Sequence, residues 1–217
     1  MKKDLLIFFG QYRTFDLILE RLLDLDKVDV VISTWSDVTK EQIDLIYKYI
    51  PHATVLTTDS NKFIEFENPA KMYYHWKNAI NHVDETKYER VILHRTDTLS
   101  NWQDVLNYKL EENTLYLNDA GDGNFKSSDI IVKRGVMNHH WIDDQFIFGN
   151  MNIIKKFINY IEIVPKETTA HFHLGNIILE HNIPTKSWND FIKISSKIVS
   201  IEELQSTRKG HLNDNRI

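Results

Sequence analysis

Between Leu5 and Leu93, short apolar runs alternate with segments of helical spacing, and this constrains the fold more than any other feature. Leu5 to Phe9 reads as a strand, and Phe15, Ile18, Leu19, Leu22 and Leu23 follow at helical spacing. Val28 to Ile32 is a second buried strand. Asp37 to Ile50 is a second helix, with Ile43, Ile46, Tyr47 and Ile50 on one face. Thr54 to Thr57 is a third strand. Pro69 to Val83 is a helix with Pro69 in its first turn and Met72, Tyr73, Trp76 and Ile80 on one stripe. Tyr88 to Leu93 is the fourth strand, β-prone and apolar. Alternation of this kind predicts an α/β domain with a mostly parallel sheet and right-handed crossovers.

After Asp97 the rhythm breaks. Trp102 to Tyr108 reads as a short helix and Thr114 to Leu117 as a strand. Asn118 to Asn124 is a polar run with two glycines, hence a loop. Ser127 to Val132 and Gln145 to Phe148 read as strands, and Met151 to Ile161 as a helix. Thr168 to His181 is a helix ended by Asn182, with Pro184 soon after. Lys186 to Ile194 is a final strand and Ile201 to Thr207 a short helix. Residues 1–208 form one expected domain, and the polar stretch 209–217 a mobile tail. The stretch from Asn118 to His140 has the length of a lid over a ligand.

Composition narrows the class. At 217 residues the chain is long enough for one sizeable core. A formal charge of -5 argues against a partner held by its nucleic-acid backbone. The chain has no cysteine, which excludes disulfides and thiolate metal sites. The apolar run at Leu5 is too short for a signal peptide or a membrane span, so a cytoplasmic location is the default expectation.

Polar residues gather where the strands end, and in an open α/β sheet ligands bind beyond those carboxyl ends. The fourth strand delivers His94, Arg95 and Asp97. A carboxylate there can hold a divalent cation and a guanidinium can meet a phosphate; a salt-bridged strand end is the plainer alternative. The first strand runs into Gly10-Gln11-Tyr12-Arg13-Thr14. Gly10 permits a tight turn and Arg13 offers charge to a phosphate; a helix-capping turn is the alternative. Trp35 closes the second strand, as core or as a surface on which a flat base stacks. Ser36 or Asp37 caps the next helix. Asp143 and Asp144 precede an apolar strand. Phe146 and Phe148 share parity with Asp144, which places that carboxylate among aromatics where desolvation suits it to proton abstraction; a turn before the strand is the alternative. His171 and His173 lie on opposite sides of a helix, so at most one joins Asp97 as a metal ligand, imidazole suiting Mn or Zn. A core or exposed histidine is the other reading there, and His139-His140 is equally ambiguous.

Together these segments resemble GT-A-fold glycosyltransferases of the bacterial and viral lipopolysaccharide- and capsule-synthesis type. The shared motifs are Gly10-Gln11-Tyr12-Arg13-Thr14-Phe15, Asp29-Val30-Val31-Ile32-Ser33-Thr34-Trp35, Arg95-Thr96-Asp97 and Asp144-Gln145-Phe146-Ile147-Phe148-Gly149. They come in the family's order and span residues 4–150. The resemblance implies a GT-A-like sandwich around a mostly parallel sheet. It also implies a nucleotide-diphosphate sugar donor at the strand ends, held by Gly10, Gln11, Arg13, Trp35, Arg95 and Asp97. Asp97 stands where these enzymes place the metal-binding Asp of D-x-D, which implies Mn²⁺ or Mg²⁺; His173, from the reading of the histidine pair and not from the resemblance, is the candidate further ligand. Arg95 replaces the first Asp of that motif, and is itself a substitute for the cation. Asp144 is the candidate base if the reaction inverts the sugar carbon, inversion and retention both staying open, and a glycan or lipid-linked molecule is the acceptor, in cell-surface polysaccharide synthesis with peripheral membrane association. Two other classes remain: a nucleotide-sugar-binding protein without transfer activity, and a phosphate-ester hydrolase. The hydrolase would need a nucleophilic Asp after the first strand, where Gly10 and Gln11 stand instead.

Overall fold

Leu5, Leu6, Ile7, Phe8 and Phe9 are all buried, so the first strand is covered on both faces, as an uninterrupted apolar run requires. The computed structural model describes residues 2–12, 15–20, 22, 24–66, 68–98, 100, 102–117, 144–163 and 170–188. The expected strand at 127–132, the helix at 201–207, the lid and the tail lie outside them.

The strands are β1 (Lys3–Phe9), β2 (Asp29–Trp35), β3 (Thr54–Thr58), β4 (Tyr88–Arg95), β5 (Leu115–Leu117), β6 (Phe146–Asn150) and β7 (Thr185–Ser187). The helices are α1 (Phe15–Leu19), α2 (Lys40–Tyr49), α3 (Asn68–Asn81), α4 (Met151–Tyr160) and α5 (Ala170–Glu180). Among the described residues the sheet has seven strands in the order β3-β2-β1-β4-β6-β5-β7. β1 pairs in parallel with β2 and β4, and β2 with β3. β6 runs antiparallel to β4 and β5, and β7 parallel to β5.

Strand alternation splits the core between the two faces. Leu5, Ile7 and Phe9 join Tyr73, Trp76 and Phe157 under α3, α4 and α5. Leu6 and Phe8 join Phe15, Ile46 and Trp102 under α1, α2 and a short 3-10 turn at Trp102–Asn107. α2 begins later than expected. Thr39, rather than Ser36 or Asp37, caps it, with the Gln42 side chain returning the bond to the Thr39 N–H. α5 stops as the sequence implies. Asn182 turns left-handed at φ 48°, and the Ile183 N–H reaches back to the Ile178 carbonyl at 2.9 Å.

Register brings the strand ends level. Phe9 stands beside Arg95 on one side and Ser33 on the other. Because β6 is antiparallel to β4, it starts where β4 ends, with Phe146 opposite His94. The residues just before β6 are therefore delivered to the same edge as Arg95.

Candidate functional site

At the C-terminal edge the chain leaves β1 through Gly10, at φ 113°, a conformation that favours glycine. The Gly10 N–H donates to the Ser33 carbonyl at 3.1 Å, which anchors the turn on β2. Thr96 anchors it on β4. Its N–H donates to the Phe9 carbonyl at 3.1 Å and its hydroxyl to the Gln11 carbonyl at 2.6 Å. A Cβ on Gly10 would stand 3.4 Å from that hydroxyl. Thr96 lay in the sequence between the two charged residues of the motif and drew no notice there. Its role depends on a register that only the folded sheet supplies.

Arg95 is the centre of the site. Its Nε and Nη2 donate to Asp97 Oδ1 and Oδ2 at 2.8 and 2.7 Å, a fork on one carboxylate. Its Nη1 donates to Asp144 Oδ1 at 3.2 Å. The Asp97 and Asp144 side chains are 8% and 11% exposed, and Arg95 is more open at 28%. Burial works against the guanidinium's charge, but Asp97 first and Asp144 second hold its pKa above the usual arginine range. One cation against two anions leaves the cluster formally negative by one charge.

His94 is not part of this cluster. Its ring is fully buried between Phe8 and Phe146. Nδ1 lies 2.7 Å from the Arg95 carbonyl and Nε2 lies 2.8 Å from the Ser100 hydroxyl. Burial pulls its pKa down to about 4, against the smaller opposing effects of the Arg95 carbonyl and Asp97. A neutral imidazole with both nitrogens engaged is scaffolding for the strand end.

The structure brings Gly10, Gln11, Arg95, Asp97 and Asp144 to one edge. Arg13, Asp143, His139 and His140 lie outside the described residues. Trp35 reaches the same edge but is only 4% exposed. His75 lies 4.2 Å from its ring centre, Phe63 5.7 Å and Tyr74 6.5 Å. Its burial among these rings accords with the core reading of the two. His173, on α5, packs on the Tyr73 ring at 5.4 Å.

The expected parity of Asp144 does not apply. β6 begins at Phe146, so Asp144 sits in the bend before the strand and turns toward Arg95. The carboxylate expected among aromatics is met by a guanidinium instead.

The donor set can be tested for the implied cation. Among the described residues there is no group of three or more His, Asp or Glu side chains that could hold a metal ion. Both oxygens of Asp97 already accept from Arg95. A divalent cation at Asp97 would meet a like charge there, so the residues as arranged do not fit one unless Arg95 turns away.

Sequence reasoning also missed a buried polar pair. Ser33 Oγ lies 2.9 Å from His75 Nδ1, and the Asn78 amide donates to the same hydroxyl at 3.4 Å. The one available signal was a histidine on the helix face that meets β2. Three strands away from β4, a polar groove of about 310 Å³ opens between β3 and α3, lined by Thr57, Asp59, Lys62, Tyr74, Asn78 and His82.

No family model matches the chain. No curated protein matches it. Among solved structures it is similar to 4-diphosphocytidyl-2C-methyl-D-erythritol synthase from Anaerococcus prevotii, with TM-score 0.55 and 10% identity over 95% of this chain and 96% of that one. Mouse xyloside xylosyltransferase 1 gives TM-score 0.49 and 7% identity over 86% and 85%. The fold is the expected one, an α/β GT-A-like sandwich around a mostly parallel sheet. No described helix is long and apolar enough to cross a membrane.

Proposed function

We propose that this chain transfers a sugar from a nucleotide-diphosphate donor to a glycan or lipid-linked acceptor, in surface-polysaccharide synthesis. One observation carries the reading: a guanidinium held by two carboxylates at the C-terminal edge of a GT-A-like sheet, beside the turn at Gly10. That edge is where α/β sheets bind ligands. The synthase that shares the fold is named for a diphosphocytidyl compound, which accords with a nucleotide-linked donor here.

In this reading Arg95 meets the donor diphosphate and disperses the charge that grows on it as the sugar leaves. Asp97 holds Arg95 in orientation through the fork. The backbone at Gly10 and Gln11 faces the nucleotide, and Arg13 has the charge to meet a donor phosphate. Asp144 takes the proton of the acceptor hydroxyl. A second form of the same reading places Mn²⁺ or Mg²⁺ at Asp97, with His173 as a further ligand, and needs Arg95 to leave the fork. Action at the cytoplasmic face of a membrane, through peripheral contact, fits a lipid-linked acceptor.

A thermal-shift screen of nucleotide-diphosphate sugars, with and without Mn²⁺, tests the proposal. A donor at a hundred times its dissociation constant adds about 2.7 kcal/mol of stability. Absence of any shift across uridine, guanosine, cytidine and thymidine donors overturns it. A shift without transfer of radiolabelled sugar to any acceptor, and without release of nucleotide, leaves a binding protein.

A further inference from the structure

The two attachments of Arg95 are unequal. The fork on Asp97 has two bonds at 2.8 and 2.7 Å, one to each carboxylate oxygen. The link to Asp144 is one bond at 3.2 Å. Bidentate pairing is the stronger and more directional of the two. Nη1 is therefore the end of the guanidinium that exchanges partners most readily. Arg95 is also the most open of the three side chains.

The geometry points to Asp144 as a competitor for the donor: its carboxylate occupies Arg95 Nη1 until a nucleoside diphosphate displaces it. This rests on the donor reading given above and goes beyond it, because it gives Asp144 a second role, as the group that holds the guanidinium until the diphosphate arrives. Without donor, Asp144 is tied to Arg95 and the site is closed to acceptor chemistry. As the diphosphate takes Nη1, the fork keeps Arg95 on Asp97 and Asp144 is released. Asp144 then accepts the proton of the acceptor hydroxyl while that oxygen bonds the sugar carbon. The bond from that carbon to the diphosphate breaks, and the nucleoside diphosphate departs with its electron pair.

The competition has a sign that ordinary electrostatics does not share. Asp97→Asn and Asp144→Asn each remove one negative charge from a carboxylate touching Arg95. If the cluster only repelled an anion through its net charge, both substitutions would tighten binding alike. If Asp144 competes and Asp97 orients, they act oppositely.

The experiment is calorimetric titration of the intact chain and both variants with UDP, GDP and CDP, in buffer containing EDTA so that no cation contributes. Circular dichroism confirms that each variant is folded. For the nucleotide that the native chain binds best, Asp144→Asn is expected to tighten binding about fivefold, the scale of one partly exposed charge pair. Asp97→Asn is expected to weaken it by at least as much. Equal tightening by both variants overturns the competition, as does unchanged or weaker binding in Asp144→Asn. Binding of no nucleotide, dTDP included, by any of the three chains, in EDTA and again with Mn²⁺, overturns the donor reading as well, so the two failures are distinct.

Discussion

Ser33 Oγ and His75 Nδ1 lie 2.9 Å apart, both buried between β2 and α3. His75 Nε2 is also buried, with no hydrogen-bond partner among the described residues. A protonated ring carries an N–H at Nε2 that no described residue accepts, and burial pulls the His75 pKa down from 6.5 to about 4. His94 is depressed to the same level. Both folded values lie below the unfolded value, so the unfolded chain binds more protons between pH 6.5 and about 4. Stability is therefore full above pH 6.5 and falls as pH drops through that window. At about 1.36 kcal/mol per pKa unit, each histidine contributes on the order of 3 kcal/mol across it. Urea unfolding at pH 7.5 and pH 5 measures this. His75→Gln should flatten the slope, leaving the share due to His94, and an unchanged slope in that variant would show that His75 is not protonated on unfolding.

Gly10→Ala should destabilise the chain. At φ 113° a Cβ is strained regardless of space, by roughly 1–3 kcal/mol. The added atom also meets Thr96 Oγ1 at 3.4 Å, on the hydroxyl that joins the β1 turn to β4. Denaturant midpoints check the cost. Thr96→Val, which removes the hydroxyl and keeps the shape, should weaken the same turn with no Cβ at Gly10. If both variants match the native chain, the turn is not held in this way.

The alternation up to Leu93 was enough to place β1 to β4 in a parallel sheet, because buried parallel strands are continuous apolar runs with helical segments between them. What followed was less legible. Lys186 to Ile194 read as a strand, but within the described residues only Thr185–Ser187 is one. The antiparallel direction of β6 has no local signature, and it alone brings Asp144 to Arg95. Arg95 and Asp97 were visible as a charged pair at a strand end. Their fork and the third bond to Asp144 were not, since 49 residues separate Arg95 from Asp144. Trp35 was ambiguous because a strand-end tryptophan looks the same in sequence whether α3 covers it or not.

Trp35→Ala should lower stability by roughly 3–5 kcal/mol, as a buried aromatic truncation does. Its ring is packed among His75, Phe63 and Tyr74 and is 4% exposed. Trp35→Phe should keep most of the stability and leave nucleotide affinity unchanged within a factor of two. A large loss of nucleotide affinity in Trp35→Phe, with the fold intact, would return Trp35 to the binding surface.

Asp144→Asn separates catalysis from binding. Asn keeps the shape and can still accept a bond from Arg95 Nη1, but it cannot take a proton at neutral pH. If Asp144 receives the acceptor proton, transfer should fall by roughly 10²–10⁴, the usual share of a general base. The same variant should bind nucleoside diphosphate more tightly, so the rate falls while the dissociation constant improves. Loss of orientation alone would move both in the unfavourable direction. Asp97→Asn should weaken binding and slow transfer together, because it loosens the Arg95 fork. Asp143→Asn should leave turnover within a few-fold of the native chain, as the motif match falls on Asp144. Initial rates of radiolabelled sugar transfer at saturating donor, with donor affinity measured separately, decide among these. Equal and small losses of turnover in Asp143→Asn and Asp144→Asn would remove the base assignment and leave Arg95, oriented by Asp97, as the group that acts on the leaving diphosphate.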